Sequence, residues 1–230
     1  MDFSGWEKLS LLDFDDNITT TLFSSGCPFR CPFCHNAELV LHPNQAPKIP
    51  FSEIYEYLVK RKGVLDAVCI SGGEPTLMND LEEKMRAIKD LGYLIKLDSN
   101  GCHPESLRHF IDEGLVDYVA MDIKNRIEKY DATCGVKVNM DDILSSIAIL
   151  KEGKVDYEFR TTLINEFHSD EDVAGMLELV KGAKRYFLQM YIDSPNCIVG
   201  GFHPVAKEKA AKWKEIFAKE VSFVALRGYE

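Results

Sequence analysis

Short β-rich runs alternate with helix-patterned stretches along almost the whole chain, and this alternation restricts the fold more than any other feature. Ile18 to Phe23, Leu65 to Ile70, Leu94 to Leu97, Tyr118 to Met121, Val155 to Leu163, Arg185 to Ile192 and Val221 to Leu226 read as strands. Between them lie apolar faces at helical spacing. Ile54, Tyr57 and Leu58 follow a candidate cap at Ser52 and stop near Gly63, and Leu81, Met85 and Ile88 stop at Gly92. Pro104 opens a helix bearing Leu107, Phe110 and Ile111 that stops at Gly114. Asn139 precedes Ile143, Ile147 and Leu150, Ser169-x-x-Asp172 precedes Val173, Met176, Leu177 and Val180, and Val205 to Lys219 is a last helix. A strand followed by a helix, six times over, needs crossover connections. These set the strands parallel in one sheet with helices outside it, so the expectation is an α/β fold, barrel-like or doubly wound. No repeat or linker-like tract interrupts residues 1–230, which are expected to form a single domain.

The charge balance narrows the partners. With 27 basic and 37 acidic side chains the net charge is −10, which opposes binding to a polyanion such as nucleic acid. No apolar run has the length of a membrane span, and the first ten residues lack the basic and apolar regions of a secretory signal, so a cytoplasmic location is expected. Seven cysteines are an odd number for a disulfide framework. Three of them, Cys27, Cys31 and Cys34, sit together, and Cys69, Cys102, Cys134 and Cys197 are scattered singly.

Cys27, Gly72-Gly73-Glu74, Asp98-Ser99-Asn100-Gly101 and Asp122-Ile123-Lys124 each fall at the C-terminal end of an expected strand. In parallel α/β folds those ends share one face, where ligands bind, so four dispersed motifs converge on one site. Closely spaced thiolates suit zinc or an iron–sulfur centre. Only three cysteines are local, and His35 is too close to Cys34 for an easy fourth bond to one ion. Three ligands on a four-iron cluster would leave one iron open. Taken alone, the triplet could instead staple a loop, Gly72-Gly73 could be an ordinary βα turn, Asp98 and Asp122 could cap turns, and Lys124 and Arg160 could pair with neighbouring carboxylates.

Cys27-x3-Cys31-x2-Cys34, with Phe33 before the third cysteine, resembles the signature of radical S-adenosylmethionine (SAM) enzymes, and Ser71-Gly-Gly-Glu-Pro75 is similar to their second motif. Lys8-Leu-Ser-Leu-Leu-Asp13, Cys34-His-Asn36, Asp98-Ser-Asn-Gly101, Ala120-Met-Asp-Ile-Lys124, Glu158-Phe-Arg-Thr-Thr162 and Leu188-Gln189 look like the activases of glycyl radical enzymes, most closely those of anaerobic ribonucleotide reductase. The resemblance implies a partial (β/α)6 barrel of parallel strands with outer helices, open along one side. It implies a [4Fe–4S] cluster on Cys27, Cys31 and Cys34 that chelates SAM and cleaves it reductively, and a glycyl radical formed on a partner enzyme. Phe33, Gly72, Gly73, Glu74, Ser99, Asp122, Lys124 and Arg160 match positions around SAM, and Asp98 with Asp122 matches a monovalent-cation pair. No side-chain acid or base is implied.

Two departures loosen the subfamily: Asp13-Phe-Asp-Asp-Asn17 stands in place of Asp-Tyr-Pro-Gly, and Pro28 in place of Asn. The stretch from His35 to Ile70 is too short and too poor in cysteine for a ferredoxin-like insertion, which implies one cluster and an external electron donor such as flavodoxin or ferredoxin. The alternatives are an activase of another glycyl radical enzyme such as pyruvate formate-lyase, a radical SAM modifier of peptides or small molecules, and a non-enzymatic metal-binding protein. Cys69 is expected in a core strand, and Cys102, Cys134 and Cys197 as bystanders, although the Ser194 to Pro204 loop could cover the active face. His168 and His203 are expected in solvent-facing loops.

Overall fold

The computed structural model describes residues 2–229. Its single sheet runs β1 (Gly5–Ser10), β2 (Thr19–Ser24), β3 (Ala67–Gly72), β4 (Leu94–Ser99), β5 (Tyr118–Asp122), β6 (Asp156–Leu163), β7 (Arg185–Met190) and β8 (Phe223–Arg227), in that spatial order. Every pair from β2 onward is parallel, and only β1 runs antiparallel, on the outer edge of β2. Strand order without reversal is the winding of a barrel and excludes the doubly wound alternative. β1 and β8 are the two ends of the order and do not pair with each other, so the barrel is partial.

Helices fill each crossover: α1 (Ala37–Leu41) and α2 (Phe51–Lys60), α3 (Leu81–Asp90), α4 (Pro104–Asp112), α5 (Tyr130–Cys134) and α6 (Met140–Lys151), α7 (Asp170–Val180), then α8 (Lys207–Phe217). Their starts follow the sequence closely. Pro104 is the first residue of α4, Asn139 accepts from Asp141 N–H, and Ser169 N–H donates to Asp172 across the capping box of α7. Ser52 does not cap; α2 begins one residue earlier, behind Pro50.

Alternate strand residues face opposite sides. One side, including Val68, Ile70, Ile95, Leu97, Val119, Met121, Tyr157 and Phe159, packs under the helices into a continuous apolar core. The other carries buried Thr19, Thr21, Lys96, Glu158 and the partly buried Asp98, Asp122 and Arg160, so the barrel interior is polar and ionic. Its base is tied by Arg227, which donates to Glu158 at 2.6 Å and reaches Asp15 at 3.1 Å. Its top is the site.

Candidate functional site

The loop after β2 carries the three cysteines and is held on three sides. Glu74 N–H, just past β3, donates to Gly26 O at 2.8 Å, Arg30 N–H donates to Cys134 O at the end of α5, and Ile198 and Val199 N–H donate to Cys34 O and Pro32 O. The last two bonds place the Ser194 to Pro204 loop against the cysteine loop. Gly72 and Gly73 are glycines because backbone presses on backbone. A Cβ on Gly73 would stand 2.0 Å from Gly26 O, and one on Gly72, at φ +113°, 2.4 Å from Ser24 N and O. The space they keep clear is taken by main chain, that of Ser24 at the end of β2 and that of Gly26 in the cysteine loop.

Cys27, Cys31 and Cys34 line one cavity with Phe33, Gly72, Gly73, Ser99, Asn100, Asp122, Lys124 and Arg160. Among the described residues, no three His, Cys, Asp or Glu side chains stand close enough to hold a single metal ion. Three soft thiol donors lining one space are the ligand type that iron–sulfur clusters take, so the donor set fits the [4Fe–4S] group. Burial pushes the Cys27 thiol up to about 12 and Cys34 upward as well, so binding iron there must displace tightly held protons. Cys31 differs: a hydrogen bond with the Cys134 thiol holds it below the ordinary thiol range, against burial. Cys134 meets the loop through its main chain as well, where its carbonyl accepts from Arg30 N–H at 2.8 Å. It is fully buried at the cysteine loop, a hundred residues along the chain from its partner.

On the facing wall Asp122 sits between two cations, with Arg160 Nε at 2.5 Å and Lys124 Nζ at 2.9 Å. Arg160 Nη1 also lies 3.2 Å from Asp98 Oδ2. The pair of carboxylates expected to share a monovalent cation thus has protein cations beside it. Asp98 Oδ1 is buried without a hydrogen bond, 3.6 Å from Lys96 Nζ. Burial opposes every charge in this group, yet the mutual attraction wins: Asp122 is held well below the usual carboxylate range, and Lys124 and Arg160 are raised. Lys124 and Arg160 both line the cavity, and each can offer further N–H groups to a ligand carboxylate.

Glu74 is the residue whose expected role changes. It is fully buried outside the cavity, where Oε1 accepts from Thr76 and Ser99 hydroxyls at 2.6 and 3.0 Å and Oε2 accepts from Asn100 N–H at 2.7 Å. It ties the end of β3 to the end of β4 and touches no ligand space. Ser99 lines the cavity, with its hydroxyl turned to Glu74. Phe33 is a buried apolar wall backed by Phe167 at 5.6 Å.

His168 is buried, where a solvent-facing loop was expected. It is 2 % exposed, its Nδ1 accepts from Ile164 N–H, and its Nε2 donates to Lys124 O, which anchors the main chain under a site cation. His203 is exposed, as anticipated. Asn100 and Asn36 were missed as site residues although both line the cavity; the strand-end position that selected Ser99 applies equally to Asn100.

The radical SAM superfamily profile matches residues 21–180. A Methanocaldococcus jannaschii protein assigned by name to the glycyl-radical enzyme activating enzymes is 33% identical over 195 residues, covering 82% of this chain and 79% of that one. A pyruvate formate-lyase-activating enzyme of Staphylococcus aureus is 30% identical over 129 residues, 52% of this chain and 51% of that enzyme. Among solved structures, a domain of a pyruvate-formate lyase-activating enzyme from Bacteroides vulgatus matches with a TM-score of 0.59 at 17% identity, covering 71% of this chain and 99% of that domain, a likeness of fold.

Proposed function

The chain belongs to the radical SAM superfamily, among the glycyl-radical enzyme activating enzymes, and from that premise we propose that it activates an anaerobic ribonucleotide reductase. Cys27, Cys31 and Cys34 hold the [4Fe–4S] cluster, and the Lys124–Asp122–Arg160 wall receives the amino-acid end of SAM. Cluster and SAM together supply the radical, by one-electron cleavage of SAM to methionine and a 5′-deoxyadenosyl group.

The chain's own residues bind, orient and shield. Lys124 and Arg160 offer hydrogen bonds to a carboxylate, and Asp122 fixes both in direction, so little ordering is left to occur on binding. Phe33 gives an apolar surface for a flat base and, with Phe167 behind it, keeps water from that side. Removing hydrogen from a glycine Cα transfers no proton to the protein, and no side chain is assigned as acid or base. An external one-electron donor such as flavodoxin or ferredoxin completes the reaction, and residues 1–230 work as one domain.

The observation that carries this reading is that three thiols of one loop and the ion triad from β5 and β6 line the same cavity. The test is anaerobic reconstitution with iron and sulfide, reduction, and addition of SAM with either candidate partner. About four irons per chain, 5′-deoxyadenosine, and a glycyl radical signal by electron paramagnetic resonance on the reductase are expected. Ala at Cys27, Cys31 or Cys34 should abolish SAM cleavage. A radical formed on pyruvate formate-lyase instead would establish the second reading, which the resemblance to the S. aureus enzyme favours.

A further inference from the structure

We propose that Asn100 is a positioning residue that sets how readily the cluster accepts its electron, by donating an N–H···S hydrogen bond to Cys27; this rests on Cys27 being a cluster ligand. Asn100 Nδ2 lies 3.5 Å from Cys27 Sγ. The other end of the amide is committed, because Oδ1 accepts from Cys102 N–H at 3.0 Å, and this contact decides which end faces the sulfur. The residue's main chain is fixed too, since its N–H donates to the buried Glu74 carboxylate at 2.7 Å. Asn100 is 6 % exposed, so water does not compete for the amide.

The turn at the end of β4 uses only the oxygen of this side chain, and an Asp or Ser could supply that. The nitrogen has a separate partner, on the far side of the site, in a loop joined to β2. Phe29 N–H approaches the same sulfur at 3.4 Å. Cys27 thus collects two N–H dipoles whose positive ends point at it. Adding an electron to an iron–sulfur cluster raises the negative charge on its sulfurs, and hydrogen bonds to those sulfurs favour the reduced form. Glu74 thereby gains a purpose consistent with lying outside the cavity: it holds the donor.

Asn100→Ser tests this, because it keeps an oxygen for Cys102 N–H, adds no charge and is too short to reach Cys27 Sγ. Asn100→Ala serves as a second variant. The full-length chain is reconstituted, iron and sulfide are counted, thermal unfolding is recorded, and the cluster is titrated anaerobically with the reduced fraction read by electron paramagnetic resonance. At a fixed solution potential the reduced-to-oxidised ratio should fall about tenfold in both variants, or about 59 mV for a one-electron couple. Iron content and unfolding midpoint should be near wild type. A loaded variant with the wild-type potential overturns the proposal. Loss of iron from Asn100→Ser also overturns it, by assigning Asn100 to holding the loop. A wild-type chain that assembles no cluster would instead sink the assignment of Cys27 beneath it.

Discussion

Asp122 and Arg160 are register partners across β5 and β6, and their side chains meet at 2.5 Å on the cavity wall. The same guanidinium reaches Asp98 on β4, so one arginine clamps three successive strands at the end where the site forms. Because Arg160 and Lys124 outweigh burial, Asp122 stays ionised far below neutrality. Its folded-state value is depressed, so its contribution to stability is complete above the unfolded value of 3.8 and is lost only as pH falls below that. Asp122→Asn should therefore destabilise by about 1–3 kcal/mol, with little change between pH 5 and 9, in urea unfolding of the apo chain. No loss of stability would mean that Lys124 and Arg160 repartner freely.

Glu74 offers a contrasting carboxylate. Burial raises it despite four donors aimed at its two oxygens. Glu74→Gln keeps the shape but turns an NH2 group toward one set of donors. The expected cost is about 1.5–3 kcal/mol, with the β4 turn displaced. Amide exchange at Asn100 reads this directly: faster exchange is expected, and unchanged protection would show that Thr76 and Ser99 alone hold the turn.

The barrel was legible because its strands and helices keep clean periods and its glycines stop the helices. β1 was not, since Gly5–Ser10 is short, half exposed and held by pairing with β2 and by contacts of Trp6 and Lys8 with Tyr57 that only the fold makes. The cysteine triplet was legible because its spacing is local. Glu74 was misplaced because a motif fixes where a backbone lies and leaves open which way a side chain turns. The placement of Cys134 and His168 had no signal at all: it is set by Arg30 and Lys124, residues brought to them only by the fold.

His168 gives a pH prediction of the same sign in a higher window. Burial lowers its value below 6.5, outweighing the main-chain oxygens of Lys124 and Ile164 that its ring nitrogens face. The unfolded chain then binds more protons than the folded one as pH falls through 6.5, so stability is present above that value and declines below it. His168→Gln should flatten the slope of stability between pH 7 and 5 in denaturant titrations. An unchanged slope would assign the acid sensitivity to other groups.

Gly73 separates close packing from backbone conformation. Gly92 has φ +90° but nothing within 4 Å of an added Cβ, so Gly92→Ala meets only the strain of a left-handed residue, about 1–2 kcal/mol. Gly73 has no such φ, yet its added Cβ would meet Gly26 O at 2.0 Å, and main chain cannot rotate away as a side chain can. Gly73→Ala must push the cysteine loop off the end of β3, breaking the bond from Glu74 N–H to Gly26 O. It should lower iron bound after reconstitution several-fold, whereas Gly92→Ala should bind iron like the wild type despite its lower unfolding midpoint. Equal iron binding by the two variants would show that the cysteine loop does not depend on its seat against Gly73.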